Sequence, residues 1–295
     1  MKQTFCQNEY DLLMDVLLCE PQFMEIRDVI NHVQAHYQKE NIEVSKALHQ
    51  HRDFANVLER EGIQVRLLSA KKEFPEQVFT RDIGFTIENT LYVGKLKQQI
   101  RQGEELILRK YLDDNHFNYV VIDEGTIEGG DVLIDGAKVF VGDGSRTERS
   151  AVSFLVNQHP HLSFYNIRFK KEYLHLDCVF NPVSSDMALI YREAIAPEDI
   201  HLLEKEYELL EVNEKEQFTL ATNVLSIGEK RVIALPQNKV TNDKLRDKGF
   251  HVIEVESPKL LSQAVHSAVL RCRFIAKQHR TLFLREQRPI QLSVI

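Results

Sequence analysis

The sequence predicts an α/β fold in which five similar units close into a pseudosymmetric ring, and three observations support this prediction. The 295 residues are 43% hydrophobic and 27% charged, as in a globular protein that buries a substantial core. A pattern of two short strands, a helix and a further strand recurs roughly every 35 to 55 residues. No linker rich in Pro, Gly and Ser interrupts the chain, which favours one domain over residues 1–295.

The first unit is the least regular. It joins the strand DVLLC to a long polar helix from Arg27 to Glu61 and then to the strand IQVRLLS. The other four units begin with hairpins, in which short apolar or alternating stretches flank a turn such as the dipeptide Asp135-Gly136. The hairpins are FTIENTLYVG, DVLIDGAKVFVG, CVFNPVSSDMALIY and NVLSIGEKRVIALP.

A helix-like stretch follows each of these hairpins. Pro197 is suited to the first turn of the helix in the fourth unit. The stretches are residues 98–113, 146–157, 197–210 and 242–248. The strands YVVID, LSFYNI and HVIEVE close the second, third and fifth units. The alternative is an α+β protein whose units resemble one another by accident.

Composition excludes several partners. The chain has 37 basic and 44 acidic residues, a formal charge of −7 and no long block of Lys and Arg, so we expect neither nucleic acid nor an anionic membrane as a partner.

No apolar run reaches the length of a membrane span, and the start MKQTFCQNEY lacks the order of a signal peptide, which predicts a cytoplasmic protein. The four cysteines form no CxxC pair and are expected to be reduced thiols.

Polar side chains are concentrated just before the hairpins of successive units, and in a closed ring these points meet around a central channel. The adjacent glycines Gly129 and Gly130 permit close backbone approach. Alternation in KEYLHLDCVF predicts a strand with His175 and Asp177 on one face. The four motifs are FTRD (79–82), IEGGD (127–131), LHLD (174–177) and LATN (220–223).

Carboxylates and one imidazole at equivalent points suit a small, planar, cationic ligand. Each residue also has a purely structural interpretation. Asp82 can pair with Arg81 or cap a turn, Glu128 can be a solvated loop carboxylate, and Asn223 can be a turn residue. The combination of these residues, rather than any one of them, favours a binding site.

The motifs FTRD, IEGGDVLI and LHLD, in this order and spacing, resemble those of the guanidine-modifying superfamily with the pentein fold, a five-bladed α/β propeller. This superfamily contains dimethylarginine dimethylaminohydrolases, arginine deiminases, agmatine deiminases and amidinotransferases. Chain length favours the dimethylaminohydrolase-like branch. The resemblance implies hydrolysis at the guanidinium carbon of a small arginine-like substrate, with release of an amine and formation of a ureido product.

The resemblance also implies roles for individual residues. Asp82, with Asp177 or Glu128, would hold the guanidinium nitrogens, because carboxylates bind this cation bidentately. His175 would be the general acid and base, and a cysteine thiolate would attack the guanidinium carbon. The implied catalytic set is therefore His175, Glu128 and Cys272, and this chemistry requires no metal and no organic cofactor.

Other activities use the same residues. Amidino transfer to a second amine passes through the same covalent intermediate, and a deiminase releases ammonia from the same site. A non-catalytic pentein, as in the ribosome-binding initiation factors, has no need for Asp82, Glu128, His175 and Asp177. A homo-oligomer is compatible with each of these alternatives.

The expected cysteine is out of place. The family pattern near the C-terminus resembles GGSFRCxTLPL, whereas this chain reads QAVHSAVLRCRFIA, in which Cys272 is present but the glycines are missing. Glycine allows backbone conformations that other residues rarely adopt. Cys272 is therefore either the nucleophile or an inert buried thiol.

The genetic code permits a second interpretation of this segment. The codons from Gln263 to Phe274 can be read in an alternate frame, in which each triplet begins at the third base of a codon. Codon degeneracy then permits the sequence Gly-Gly-Ser-Phe-Arg-Cys. This is followed by one free position, Ser or Thr, Met or Leu, Pro and Leu, as in the family pattern. The cysteine codon then straddles Ala268 and Val269. We hypothesise that the reading frame shifts shortly before Pro258 and that the tail from about residue 258 is out-of-frame translation. The chain would then lack its nucleophile and be at best a guanidinium binder.

Overall fold

The computed structural model describes residues 2–30, 34–35, 38–39 and 41–255, together with the backbone of residues 270–272. Within these residues the strands form five sheets of three strands each. The strands are β1 (Asp15–Cys19), β2 (Gln64–Leu68), β3 (Gly84–Ile87), β4 (Thr90–Val93), β5 (Tyr119–Val121), β6 (Val132–Asp135), β7 (Lys138–Asp143), β8 (Ser163–Arg168), β9 (Phe180–Pro182), β10 (Met187–Ile190), β11 (Glu208–Glu211), β12 (Leu225–Gly228), β13 (Arg231–Ala234), β14 (His251–Glu254) and β15 (Leu270–Cys272).

Helices connect the parallel strands within each sheet. They are α1 (Val44–Arg60), α2 (Glu104–Asp114), α3 (Arg149–Gln158), α4 (Pro197–Glu206) and α6 (Lys239–Asp247), whereas the short helix α5 (Glu214–Gln217) leads from one sheet to the next. In α1 the buried residues Ala47, His51, Phe54 and Leu58 recur at helical spacing, so one face packs against the sheets. None of the helices within the described ranges combines the length and hydropathy that a membrane span needs.

All five sheets share one topology. In four of them a hairpin of two antiparallel strands is followed by a helix and a third strand parallel to the second: β3-β4-β5, β6-β7-β8, β9-β10-β11 and β12-β13-β14. In the remaining sheet β1 is parallel to β2 and antiparallel to β15, which takes the position of the first hairpin strand. The predicted repeat of the strand-strand-helix-strand unit is therefore present.

Buried side chains join each unit to the next. One apolar cluster packs β3 and β4 against β6 and β7, through residues such as Phe85 and Val139. Another packs β12 and β13 against β1 and α1, so the fifth unit contacts the first, for example through Leu225 and Val16. Among the described strands, however, pairing is confined to the individual sheets and does not join them into one closed sheet.

Three predicted elements differ from the structure. The helical stretch predicted over residues 197–210 ends at Glu206, and Glu208–Glu211 is the strand β11. The helix expected from Arg27 to Glu61 is present from Val44 to Arg60 and residues 34–35 are helical, but residues 20–30 are irregular. The side chain of Asn41 accepts hydrogen bonds from the backbone N–H groups of Ile26 and Ile42 (3.0 and 2.8 Å), which satisfies the backbone without a helix.

The strand predicted in KEYLHLDCVF is the third difference. Leu176–Cys178 forms a 3-10 turn, in which the N–H of Cys178 donates to the carbonyl of His175 (3.2 Å). The strand β9 begins only at Phe180. His175 and Asp177 therefore do not share one face of a strand.

Candidate active site

A buried ion pair between Glu128 and His175 lies at the centre of the candidate site. Nε2 of His175 is 2.6 Å from Oε2 of Glu128, and both side chains are fully buried. Glu128 precedes β6 and His175 precedes β9, so side chains from the third and fourth units meet as the sequence predicts. Glu128 is therefore not the solvated loop carboxylate that its structural interpretation allows.

Adjacent glycines allow this close packing. A Cβ atom at Gly130 would lie 2.7 Å from Nδ1 of His175, and a Cβ atom at Gly129 would lie 2.1 Å from the carbonyl oxygen of Arg81. Neither distance is tolerated by a real side chain. The close backbone approach that the sequence predicts at these glycines is therefore present.

Asp82 brings the second unit into the same cluster. Its Oδ1 lies 3.5 Å from Nδ1 of His175, and its carbonyl oxygen accepts a hydrogen bond of 3.1 Å from the N–H of Gly129. Its Oδ2 accepts a hydrogen bond of 2.5 Å from Nη1 of Arg101. Asp82 thus already binds a guanidinium group, one that belongs to the chain itself.

Two buried arginines border the cluster. Arg101 also donates to both carboxylate oxygens of Glu104, with Nε–Oε1 and Nη2–Oε2 distances of 3.1 and 2.8 Å. Nη1 of Arg146 is 3.6 Å from Oε1 of Glu128, and its Nη2 donates to the carbonyl of Ile30 (3.0 Å). Guanidinium groups therefore neutralise part of the buried negative charge.

Three buried polar atoms around this cluster have no hydrogen-bond partner. They are Oδ1 of Asp82, Nδ1 of His175 and Nη1 of Arg146. Leaving such an atom unpaired costs about 1–3 kcal/mol, so native proteins keep few of them without a functional reason. The arrangement fits a small polar molecule with both donors and acceptors.

Electrostatic effects within the cluster set the charges. Burial would by itself lower the pKa of His175, but the charge of Asp82 and the hydrogen bond and charge of Glu128 raise it above its ordinary value. Burial would by itself raise the pKa of Glu128, but the hydrogen bond and charge of His175 lower it. At neutral pH the pair is therefore an imidazolium and a carboxylate, and His175 carries a proton that it can donate.

The same three side chains offer ligand atoms for a cation. One atom each of Asp82, Glu128 and His175 lies within 4.8 Å of the others. However, Nε2 of His175 and Oε2 of Glu128 are engaged with each other at 2.6 Å. The proton that His175 holds at neutral pH therefore competes with a metal ion at this position.

Asp177 is linked to a different group. It is fully buried, its Oδ1 accepts a contact of 3.5 Å from Sγ of Cys178, and its charge acts on the buried guanidinium of Arg81. Nδ2 of Asn223 donates to its carbonyl oxygen (3.3 Å), which brings the LATN motif next to LHLD. The role of Asp177 as a direct ligand of a guanidinium stays a prediction.

The structure does not identify the nucleophile among the cysteines. Cys272 lies in β15, where its Cα pairs with that of Asp15, but its side chain is outside the described residues and its role stays a prediction. Burial raises the pKa of the Cys178 thiol well above its ordinary value, and burial raises that of Cys19 to about 12. Both thiols are therefore protonated and poorly nucleophilic at neutral pH.

Asp131 contributes to the site although the sequence did not single it out. Its Oδ1 accepts a hydrogen bond from the N–H of Leu176 (3.0 Å), and its Oδ2 accepts one from the hydroxyl of Thr147 (2.7 Å). It thereby fixes the turn that follows His175. Its place in the IEGGD motif, directly after the two glycines, was the available signal.

We expect the substitution Asp131→Asn to flatten the dependence of stability on pH. Burial raises the pKa of Asp131 to about 7, whereas an unfolded chain has an aspartate pKa of about 4. The contribution of this group to stability is therefore complete below about pH 4 and is lost as pH rises through about 7. Asparagine imitates the protonated acid and removes this loss.

Thermal unfolding at about pH 5 and about pH 8 measures this effect. The wild-type Tm should fall further between the two pH values than the Tm of Asp131→Asn. Asp114→Asn, at an aspartate whose side chain is 59% exposed, is the matched control. An Asp131→Asn variant with the wild-type pH dependence would contradict the assignment.

Comparisons with known proteins identify the family of the chain. The sequence profile described as "N,N dimethylarginine dimethylhydrolase, eukaryotic" matches residues 20–272. The uncharacterized protein YkgA of Bacillus subtilis (strain 168) is 42% identical over 259 residues, which cover 88% of this chain and 91% of YkgA. The bifunctional arginine dihydrolase/ornithine cyclodeaminase ArgZ of Synechocystis sp. is 25% identical over 265 residues, but these cover only 36% of ArgZ.

Solved structures agree on the fold. The N-terminal domain of ArgZ bound to product has a TM-score of 0.79 at 23% identity, covering 88% of this chain and 97% of that domain. The amidinotransferase SxtG from Microseira wollei has a TM-score of 0.76 at 16% identity, covering 92% of this chain and 98% of SxtG. With a profile match over most of its length and the α/β fold of these enzymes, the chain belongs to the N,N-dimethylarginine dimethylhydrolase family of guanidine-modifying penteins.

Proposed function

We propose that the site hydrolyses the guanidinium group of an arginine-like substrate, in the manner of a dimethylarginine dimethylaminohydrolase, through a covalent cysteine intermediate. The observation that carries this proposal is the set of buried unpaired atoms on Asp82, His175 and Arg146. The binding of Arg101 by Asp82 also supports it, because a planar guanidinium fits against this carboxylate.

Each step of the reaction has a residue suited to it. Asp82 and Glu128 hold the substrate guanidinium, and the thiolate forms a bond to its carbon. The C–N bond to the leaving amine then breaks, and His175 supplies the proton that the amine needs. The neutral imidazole next takes a proton from water, the resulting hydroxide attacks the same carbon, and the C–S bond breaks to regenerate the thiolate.

Arg146 lies beside one of the carboxylates that hold the guanidinium. Its Nη2 donates to the carbonyl of Ile30, whereas its Nη1 has no hydrogen-bond partner and is 3.6 Å from Oε1 of Glu128. The charge of Arg146 helps to keep the pKa of Glu128 below its ordinary value, so this carboxylate stays ionised to receive the substrate cation.

For the overall architecture we propose the five-bladed propeller of the penteins, with one sheet in each blade. The repeated topology of the five sheets supports this arrangement. The apolar contacts between the fifth unit and the first, through residues such as Leu225 and Val16, support closure by side-chain packing. Such a ring places the motifs of successive units around one centre.

The nucleophile is assigned to the alternate reading frame. We define the frame-restored chain as the product translated with one base gained or lost shortly before Pro258. Codon degeneracy permits this chain to carry the expected Gly-Gly-Ser-Phe-Arg-Cys sequence, with the cysteine encoded across the codons of Ala268 and Val269. Cys272 is the alternative nucleophile if the frame of the 295-residue chain is correct.

Product analysis tests the proposed reaction. The frame-restored chain and the 295-residue chain are each incubated with N,N-dimethylarginine, arginine or agmatine, and the products are identified by mass spectrometry. We expect dimethylamine and a ureido product from N,N-dimethylarginine with the frame-restored chain.

Different products would identify the alternative activities. Ammonia from arginine or agmatine would indicate a deiminase, and a product that forms only when a second amine is added would indicate an amidinotransferase. Saturable binding of the guanidino compounds by both chains, with no product from either, would indicate a non-catalytic pentein.

A further inference from the structure

A second cluster of polar side chains lies at the far end of the β3-β4 hairpin from Asp82. Glu88 occupies the turn between β3 and β4, while His159 and His161 lie in the connection between α3 and β8. Nε2 of His161 is 3.0 Å from Oε1 of Glu88, and Nδ1 of His159 is 3.4 Å from Oε2 of Glu88. The cluster therefore joins the second and third units at a distance from the guanidinium site along the chain.

The geometry resembles the ligand set of a zinc ion. Zinc binds imidazole nitrogen and carboxylate oxygen at about 2.0–2.2 Å in tetrahedral geometry, which separates neighbouring ligand atoms by roughly 3.3 Å. Oε2 of Glu88 is 3.1 Å from Nε2 of His161 and 3.4 Å from Nδ1 of His159, which brackets this value, and the three ligand atoms lie within 4.8 Å of one another. Two imidazoles and one carboxylate are ligands that zinc accepts, and three protein ligands leave a fourth position for water.

The surrounding structure holds these side chains in place. Glu88 has a left-handed backbone conformation (φ 51°), and its N–H and carbonyl groups both pair with the backbone of Cys6 (2.8 and 2.9 Å). Pro160 separates the two histidines and restricts the backbone between them. Because these contacts hold the ligands in place before the ion binds, metal binding costs less conformational entropy.

Tyr92 adds a partner outside the ligand set. Its hydroxyl oxygen is 2.8 Å from Nε2 of His159, the nitrogen that faces away from Glu88. When the hydroxyl oxygen accepts a hydrogen bond from Nε2–H, the lone pair of Nδ1 points toward the carboxylate. Metal-binding histidines commonly use a second hydrogen bond of this kind to fix the ring and its tautomer.

The charge of the cluster favours a cation. Within the described part of the chain, Glu88 forms ion pairs with the imidazoles of His159 and His161 and with no lysine or arginine. His159 is buried, with 5% of the residue exposed. Glu88 and His161 have side-chain exposures of 36% and 58%, so an ion can reach them from solvent.

We propose that Glu88, His159 and His161 bind a divalent transition-metal ion of the zinc class, which links the hairpin of the second unit to the third unit. The ion takes no part in the guanidine chemistry, because its ligands lie at the opposite end of the hairpin from Asp82. Its effect is on the stability of the fold. The inference does not depend on the proposed function.

Zinc titration of the full-length chain tests the proposal. Isothermal titration with Zn²⁺ alone, in a buffer that does not chelate metal, should show one ion bound by the wild type. His161→Ala and Glu88→Gln should weaken this binding by at least about 10-fold, and Zn²⁺ should raise the Tm of the wild type but not of these variants. His201→Ala, which removes an exposed imidazole paired with Glu204, is the matched control and should bind as the wild type does.

Two further variants distinguish this site from zinc binding elsewhere on the chain. Tyr92→Phe retains all three ligands and should weaken Zn²⁺ binding by about 10-fold or more if Tyr92 orients His159. Zinc binding that survives in His161→Ala and is lost in His175→Asn would place the ion at the buried cluster and overturn the proposal. Equal Zn²⁺ affinity in the wild type, His161→Ala and Glu88→Gln would overturn it as well.

Discussion

The substitution His175→Asn is expected to lower the turnover number of the active chain by about 10²–10⁴-fold, the usual contribution of general acid and base catalysis. Asparagine keeps a polar group against Glu128 but cannot transfer a proton near neutral pH. The amine would then leave without a proton donor, and water would attack without a base. Single-turnover and steady-state assays of product formation from the guanidino substrate measure the loss.

Asparagine is a better test than alanine because His175 is fully buried. Alanine would leave the carboxylate of Glu128 without its partner at 2.6 Å, and breaking a buried ion pair in this way costs about 3–5 kcal/mol of stability. Thermal unfolding establishes that the asparagine variant is folded, and His201→Ala serves as the control at an exposed imidazole. An unchanged turnover number would remove His175 from the catalytic set.

The repeated units could be predicted because their signals are local. Apolar stretches flank short turns, and the dipeptide Asp135-Gly136 predicts the hairpin that is observed as β6 and β7, with Gly136 in a left-handed conformation (φ 60°). The polar motifs before the hairpins could be located for the same reason. Equivalent positions in repeated units become neighbours when the units pack side by side.

The turn after His175 could not be predicted from alternation. Apolar and polar residues alternate in KEYLHLDCVF as they would in a strand, but the N–H of Leu176 donates to Asp131, 45 residues earlier in the chain. A hydrogen bond over that separation leaves no periodic signal in either segment. The contact between Arg101 and Asp82 also leaves no periodic signal. Arg101 lies in the next helical segment, and its Nη1 donates a hydrogen bond to Oδ2 of Asp82.

The cluster of Glu88, His159 and His161 could not be predicted for a different reason. The sequence His-Pro-His in residues 159–161 is short, and its third ligand, Glu88, lies in the hairpin of another unit. Metal motifs are recognised from sequence mainly when most ligands share one segment at regular spacing. Only the packing of the second unit against the third brings Glu88 to the two imidazoles.

Restoring the reading frame before Pro258 is expected to raise kcat/KM for the guanidino substrate by at least about 10⁴-fold over the 295-residue chain. In enzymes with a covalent intermediate, removal of the nucleophile costs up to about 10⁶-fold in turnover. Side-by-side assays of the two purified chains measure the difference. The matched control is the frame-restored chain in which the codon straddling Ala268 and Val269 encodes serine, and it should be as inactive as the 295-residue chain.

The frame shift can also be tested directly, by sequencing the gene of an independent isolate from the codon of Phe250 past the stop codon. A stop codon in the alternate frame before the straddling cysteine would exclude the frame shift. Turnover by the 295-residue chain that is abolished in Cys272→Ser would instead make Cys272 the nucleophile. Because Asp82, Glu128 and His175 all precede residue 258, both chains carry these three side chains. The two chains differ only in the C-terminal tail. Any difference in rate between them therefore measures whether the tail places a cysteine sulfur next to the guanidinium carbon.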